Sequence, residues 1–169
     1  EETRSDGAKV AAKKLAPVKR FINGEPTELQ FVSGQKGVLK FSLRTIGKCA
    51  HSGYPELGHS AVHTLLDVLQ KLLAEAWPCD QRLGKTLVNV GVIEGGIAAN
   101  VTAPSAGAQI IMRLAASAEQ TEERVRSLLP PNVAIDIESI SHPQFLNVPP
   151  GEKSIVVGYG SDVPHLRPL

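Results

Sequence analysis

The chain of 169 residues has little cysteine, no excess of either charge and no long apolar run. Its two cysteines, Cys49 and Cys79, are too few for a disulfide framework and lack the paired spacing of a zinc knuckle. Both are therefore interpreted as small apolar residues. The formal net charge of +1, with acids and bases mixed along the chain, provides none of the basic field that phosphate backbones require. Nucleic acid is excluded as an expected partner.

Membrane and targeting signals are also missing from the sequence. No apolar run approaches the roughly 20 residues that span a bilayer, and Glu1-Glu2-Thr3-Arg4 has no signal-peptide pattern. We therefore expect no membrane partner, and the cytoplasm is slightly favoured while the compartment stays open. Because the chain opens without methionine and closes without a finishing element, we expect it to be a piece of a longer polypeptide.

The pattern of apolar residues predicts alternating strands and helices from Gly37 onward. Alternation from Gly37 predicts a strand that stops at Gly47, and a one-sided apolar stripe predicts a helix over Ala61–Trp77. Three more strands are predicted over Lys85–Ile93, Ala106–Leu114 and Val133–Glu138. Before the last of them, Ser117 and Gln120 form a capping box that opens a helix to Leu129. Upstream, a short helix is predicted over residues 8–15 and a strand over Arg20–Asn23.

This order is β-α-β-β-α-β, which predicts an α+β fold of the ferredoxin-like type. Four antiparallel strands would form one sheet with two helices on one face. The flanking segments are too short to enclose a core, so we expect them to belong to another domain into which this unit is inserted. The predicted division is residues 1–34 and 143–169 as catalytic-domain fragments, with residues 35–142 as the inserted domain.

Two kinds of residue could carry chemistry. His51 lies on a turn between a predicted strand and a predicted helix, where a histidine can reach a partner or simply be solvated. Glu1, Glu2 and Glu25 lie at turns, where carboxylates can hold a divalent metal or deprotonate its water, although glutamates on surfaces are common. His59 and His63 lie four residues apart without a third ligand and are interpreted as solvated.

Several short motifs together resemble the di-zinc aminoacylase and carboxypeptidase family, which includes acetylornithine deacetylase, succinyl-diaminopimelate desuccinylase and glutamate carboxypeptidase. The motifs cover almost the whole chain and are Glu1-Glu2-Thr3, Gly24-Glu25-Pro26-Thr27, Ala50-His51-Ser52 with Pro55 and Gly58, Asn89-Val90-Gly91, Gly95-Gly96, Asn100-Val101 and Met112-Arg113. In that family a zinc-binding α/β domain is interrupted by a ferredoxin-like lid, which also makes the homodimer.

The resemblance implies roles for eight residues. By resemblance, Glu1 is the general base, Glu2 and Glu25 are ligands of the two zinc ions, and His51 is the lid histidine that crosses the dimer to stabilise the oxyanion. The resemblance also implies substrate contacts, which are Asn100, Arg113, Ser161 and Asp162. Arg113 would grip a substrate carboxylate bidentately. The implied substrate is an N-acyl amino acid or a short peptide, and the implied reaction is hydrolysis of an amide by metal-activated water.

The sequence also departs from the family pattern. It has no His-x-Asp segment before Glu1 and no late Gly-Pro-Gly stretch with a final histidine, and Arg4-Ser5-Asp6-Gly7 replaces the family glycine signature. Because two carboxylates without imidazole make a poor zinc site, we predict that the chain alone binds no catalytic metal tightly and hydrolyses nothing. The alternative hypothesis is a free-standing ferredoxin-like module that dimerises or binds a small molecule without catalysis.

Overall fold

A computed structural model of the chain describes residues 5–15 and 18–166. Its helices are α1 (Asp6–Lys14), α2 (Ala61–Ala74), α3 (Ala118–Leu128) and α4 (Val163–Leu166), with a 3-10 turn at Pro55–Leu57. Its strands are β1 (Phe31–Gln35), β2 (Gly37–Ile46), β3 (Cys79–Asp80), β4 (Gly84–Lys85), β5 (Leu87–Gly95), β6 (Ser105–Leu114), β7 (Val133–Ser141), β8 (Gln144–Phe145) and β9 (Ser154–Val157). No helix among these residues is long and apolar enough to span a bilayer.

The largest sheet has four strands in the order β5-β6-β2-β7, with every neighbouring pair antiparallel. Helix α2 connects β2 to the edge strand β5, and α3 connects β6 to the other edge strand β7. This is the ferredoxin-like arrangement, and it confirms the α+β fold predicted from the sequence.

One face of this sheet forms the core. Leu39, Phe41 and Leu43 alternate along β2 and are fully buried against the helices, as the period-two pattern predicts. Leu65 and Leu72 contribute from α2. Each large apolar side chain buried in this way contributes about 1.5–3 kcal/mol relative to leaving it in water. The opposite face carries the polar residues of β2, of which Lys40 and Ser42 are half-buried and Arg44 is exposed.

Local signals set most element ends correctly. Ser117 caps α3 by accepting a hydrogen bond from the Gln120 amide, as the capping box predicts. Helix α2 ends at Ala74 rather than at Trp77, because Glu75 is extended and the Trp77 indole N–H donates to the Leu72 carbonyl. Strand β5 carries a bulge at Gly91, between Val90 and Val92, which breaks the alternation seen in the sequence.

A separate three-stranded sheet has the order β8-β1-β9, with β9 parallel to β1. The strand predicted over Arg20–Asn23 is wrong: these residues are irregular, and Ile22 is 95% exposed. The upstream strand is instead β1, which pairs with segments more than 100 residues away. The chain passes between the two sheets twice, through Lys36 between β1 and β2 and through His142-Pro143 between β7 and β8.

Candidate functional site

His51 lies in a loop of residues 47–60, which we call the His51 arm. The arm leaves β2 at Gly47 and returns through an antiparallel bridge between Lys48 and His59. Gly47 is packed so closely that a Cβ there would lie 2.2 Å from the His59 carbonyl oxygen and 2.4 Å from that of Ala103. The sequence signal at Gly47 therefore reflects a close backbone approach as well as the end of a strand.

The tip of the arm is the turn from His51 to Tyr54. It is closed by the Tyr54 amide, which donates to the His51 carbonyl at 2.8 Å. The His51 ring is exposed and accepts at Nδ1 from the Gly53 amide at 3.0 Å. The Tyr54 ring lies beside it, with centroids 6.1 Å apart. These contacts engage the Nδ1 edge of the exposed imidazole, and Nε2 makes no hydrogen bond to the described residues.

The structure brings His51 together with Asn100, although 48 residues separate them. His51 forms an antiparallel bridge with Val101, and the Ser52 amide donates to the Asn100 carbonyl at 2.9 Å. The Thr102 hydroxyl accepts from the Ala50 amide at 2.6 Å and lies 3.0 Å from the Lys48 carbonyl. Both predicted site residues are therefore exposed at one end of the sheet on a hydrogen-bonded platform.

The other predicted substrate residues lie at the opposite end of the sheet, near Lys36. Arg113 pairs with Val38 of β2 and stands on the sheet face away from the helices, because its neighbours Met112 and Leu114 are buried on the helix side. A Cβ at Gly160 would contact Val38 at 3.4 Å, which places the Gly160–Asp162 turn against this end.

Ser161 and Glu25 both line one cavity of about 920 Å³. The Ser161 hydroxyl donates to the buried Gln35 side chain at 2.6 Å, and the Tyr159 hydroxyl donates to the Pro26 carbonyl at 3.0 Å. The turn that carries Glu25 is thereby tied to the turn that carries Ser161. Asp162 is half-buried, and its carbonyl accepts from the His165 amide at 2.9 Å.

Metal ligands are incomplete in the described part of the chain. Glu1 and Glu2 lie outside the described residues. Glu25 is exposed, and its carboxylate accepts from the Asn23 amide at 3.3 Å. Among residues 5–15 and 18–166, no group of three or more His, Cys, Asp or Glu side chains could hold a metal ion. One carboxylate oxygen does not make a zinc site, so these residues alone do not fit one.

Two carboxyl groups with shifted pKa values lie outside the two groups of predicted site residues. Backbone N–H groups of Leu83 and Arg82 hold the pKa of Asp80 below its usual value. The Ser117 hydroxyl does the same for the pKa of Glu119, with His142 adding a smaller effect at 2.8 Å. Both carboxyls serve turns and caps rather than chemistry.

Sequence reasoning missed the residues that position the site. Gln35, Tyr159 and Thr102 orient the predicted residues through hydrogen bonds to segments more than 50 residues away. No local pattern marks them, because each is an ordinary polar residue whose partner is chosen only by the fold. Gly53 is recognisable in the sequence, because a glycine two residues after His51 indicates a turn there.

The architecture is that of a ferredoxin-like domain linked at Lys36 and at His142-Pro143 to a second, three-stranded sheet. The chain belongs to the peptidase dimerisation domain family, whose sequence profile matches residues 33–151. The resemblance to this class of metallopeptidases seen in the motifs is thereby confirmed.

Curated relatives and solved structures agree with that assignment. A probable carboxypeptidase of Aspergillus terreus is 41% identical over 90% of this chain and 40% of its own length. A peptidase M20 domain-containing protein of Schizosaccharomyces pombe is 37% identical over 98% of this chain and 42% of its own. The chain thus spans about two fifths of these relatives. The aminopeptidase PepT of Bacillus cereus shares the fold, with a TM-score of 0.71 at 17% identity over 96% of this chain and 51% of that one.

Proposed function

We propose that this chain is the lid and adjoining part of the catalytic domain in a metal-dependent peptidase of carboxypeptidase type. The names of the relatives support a peptidase over a deacetylase. The proposed division keeps residues 35–142 as the lid, with residues 1–34 and 143–169 in the catalytic domain. In the intact enzyme, Glu1 is the proposed general base, while Glu2 and Glu25 are proposed ligands of two zinc ions.

The observation that carries the proposal is the distance between the two groups of site residues. Arg113, Ser161 and Glu25 lie towards the Lys36 end, whereas His51 and Asn100 lie beyond the far end of β2. Strand β2 has ten residues, which span about 30 Å. His51 therefore does not reach the turns of its own chain that carry Glu25 and Ser161. We propose that it serves the site of a second copy.

A homodimer would supply that second copy, and one edge of the sheet suits it better than the other. Strand β7 carries Asp136 and Glu138, and charged residues on an edge strand disfavour its pairing with a second copy. Strand β5 has no charged residue between Leu87 and Ile93. Helix α2, packed beside β5, exposes Leu66 by 50% and Leu73 by 58%. The proposed dimer surface is the edge of β5 together with this apolar side of α2.

A charge on this surface should separate the copies. Leu73→Glu would place one carboxylate from each copy within a symmetric interface, so we expect the dimer to bind roughly 100-fold more weakly. Sedimentation equilibrium of the chain measures the change. Gln120→Glu adds the same charge on α3, where a helix start favours it, and should leave the dimer intact. An unchanged dimer in Leu73→Glu would place the interface elsewhere.

The role of His51 across the dimer can be tested by complementation in the full-length enzyme. A Glu1→Gln copy and a His51→Ala copy should each be nearly inactive. Mixed dimers would join Glu1 of one copy with His51 of the other at one of their two sites. Random mixing should therefore restore about one quarter of wild-type activity.

The opposite outcome is equally clear. If His51 serves its own chain, each site in a mixed dimer still lacks one group, and the mixture stays inactive. If the enzyme hydrolysed an N-acyl amino acid in preference to a peptide, the proposed activity would change from carboxypeptidase to deacylase. The complementation test of His51 would be unaffected by that change.

A further inference from the structure

The Gly53 amide makes an uncommon contact with the His51 imidazole. A histidine ring in a functional site more often donates from Nδ1 to a carbonyl or carboxylate, which leaves Nε2 as an acceptor. Here the direction is reversed, because the Gly53 N–H donates to Nδ1 at 3.0 Å. A nitrogen that accepts a hydrogen bond carries no proton, so the proton of the neutral ring must be on Nε2.

We propose that Gly53 is a positioning residue that fixes His51 in the Nε2–H tautomer, so that the exposed nitrogen is a donor. This inference rests on the proposed function of His51 as the group that meets negative charge on the substrate. An oxyanion needs a donor already in place, and a neutral Nε2–H supplies one without a proton transfer. The same tautomer cannot accept a proton at Nε2 as a neutral base would.

The geometry of the turn explains why position 53 is glycine. The residue does not need the left-handed region of φ, so backbone conformation alone does not require glycine there. A Cβ at this position would lie 3.2 Å from Nδ1 and 3.5 Å from Cε1 of His51. Glycine therefore lets the ring approach the amide, while the Tyr54 amide closes the turn on the His51 carbonyl.

Nitrogen NMR of the 15N-labelled chain tests the proposal without substrate or metal. At about pH 8, where imidazole is neutral, the 15N shifts of Nδ1 and Nε2 report the tautomer ratio. A hydrogen bond of ordinary strength changes such a ratio roughly two- to tenfold. We expect the Nε2–H form to be favoured by that factor in His51 relative to the exposed His63 on α2. A scalar coupling between the Gly53 amide nitrogen and Nδ1 should also be present.

Two substitutions complete the experiment. Gly53→Pro removes the N–H, and the tautomer ratio of His51 should fall to that of His63. Gly53→Ala keeps the N–H but places a Cβ 3.2 Å from Nδ1, so its tautomer ratio should lie between those of the wild-type chain and Gly53→Pro. The proposal would be overturned if His51 and His63 had equal tautomer ratios in the wild-type chain. It would also be overturned if Gly53→Pro left the tautomer ratio of His51 unchanged. If Gly53→Pro does not fold, the wild-type ratio and the coupling decide by themselves. Failure of the proposed function is separate, since it would show as full turnover in His51→Ala.

Discussion

His51→Ala is expected to lower kcat of the full-length enzyme roughly 10²- to 10³-fold, the usual loss when one oxyanion donor is removed. Within the described part of the chain, the exposed imidazole accepts a hydrogen bond from the Gly53 amide and lies beside the Tyr54 ring, and both contacts belong to its own turn. Folding and metal content should therefore change little. Steady-state kinetics, with metal analysis of the same preparations, measures both quantities.

The chain offers a matched control for this prediction. His63 is exposed on α2 outside both groups of site residues, although it lies three residues before Leu66 of the proposed dimer surface, so His63→Ala should keep full turnover once sedimentation shows its dimer intact. A His51→Ala enzyme that lost its metal in proportion to its activity would instead make His51 a ligand. An enzyme that kept full turnover would remove His51 from the reaction.

Gly47→Ala is expected to destabilise the chain by about 3 kcal/mol, at the upper end of what overpacking costs. The added Cβ would meet the His59 and Ala103 carbonyl oxygens and the Ala61 amide, all of them backbone atoms that cannot rotate away. The damage would fall where the His51 arm joins β2. Urea unfolding should show a lower midpoint than in the wild-type chain. The substitution should increase the rate of hydrogen exchange most at the Lys48 and His59 amides.

Gly158→Ala is the appropriate comparison, because nothing lies within 4 Å of the added Cβ. Its free energy of unfolding should stay within about 0.5 kcal/mol of wild type. If Gly47→Ala proved as mild as Gly158→Ala, the close approach at Gly47 would not be a constraint on folding.

Much of the ferredoxin-like domain was predictable because its signals are local. The alternation of Leu39, Phe41 and Leu43 and the Ser117 cap depend only on neighbouring residues, and both predictions are confirmed. The strand at Arg20–Asn23 failed for the complementary reason. A strand is stable only with a partner, and the partners in that sheet went to Phe31–Gln35 instead.

The site residues divide in the same way. The resemblance singled out Glu25, His51, Asn100, Arg113 and Ser161, but order along a chain does not give distance in space. Only strand register shows that His51 and Asn100 share one end of the sheet while Arg113 lies towards the other. Their individual roles remain predictions, as do those of Glu1, Glu2 and Asp162.

The sequence by itself determined the family and the ferredoxin-like order, because both are written in motifs and in apolar periodicity that need no knowledge of contacts. The tertiary structure decided which turns meet, where the Gly53 amide lies relative to His51, and how far β2 separates His51 from the turns that carry Glu25 and Ser161. Those features follow from strand pairing between distant segments, in which each residue's neighbours are set by the whole fold rather than by the residues beside it.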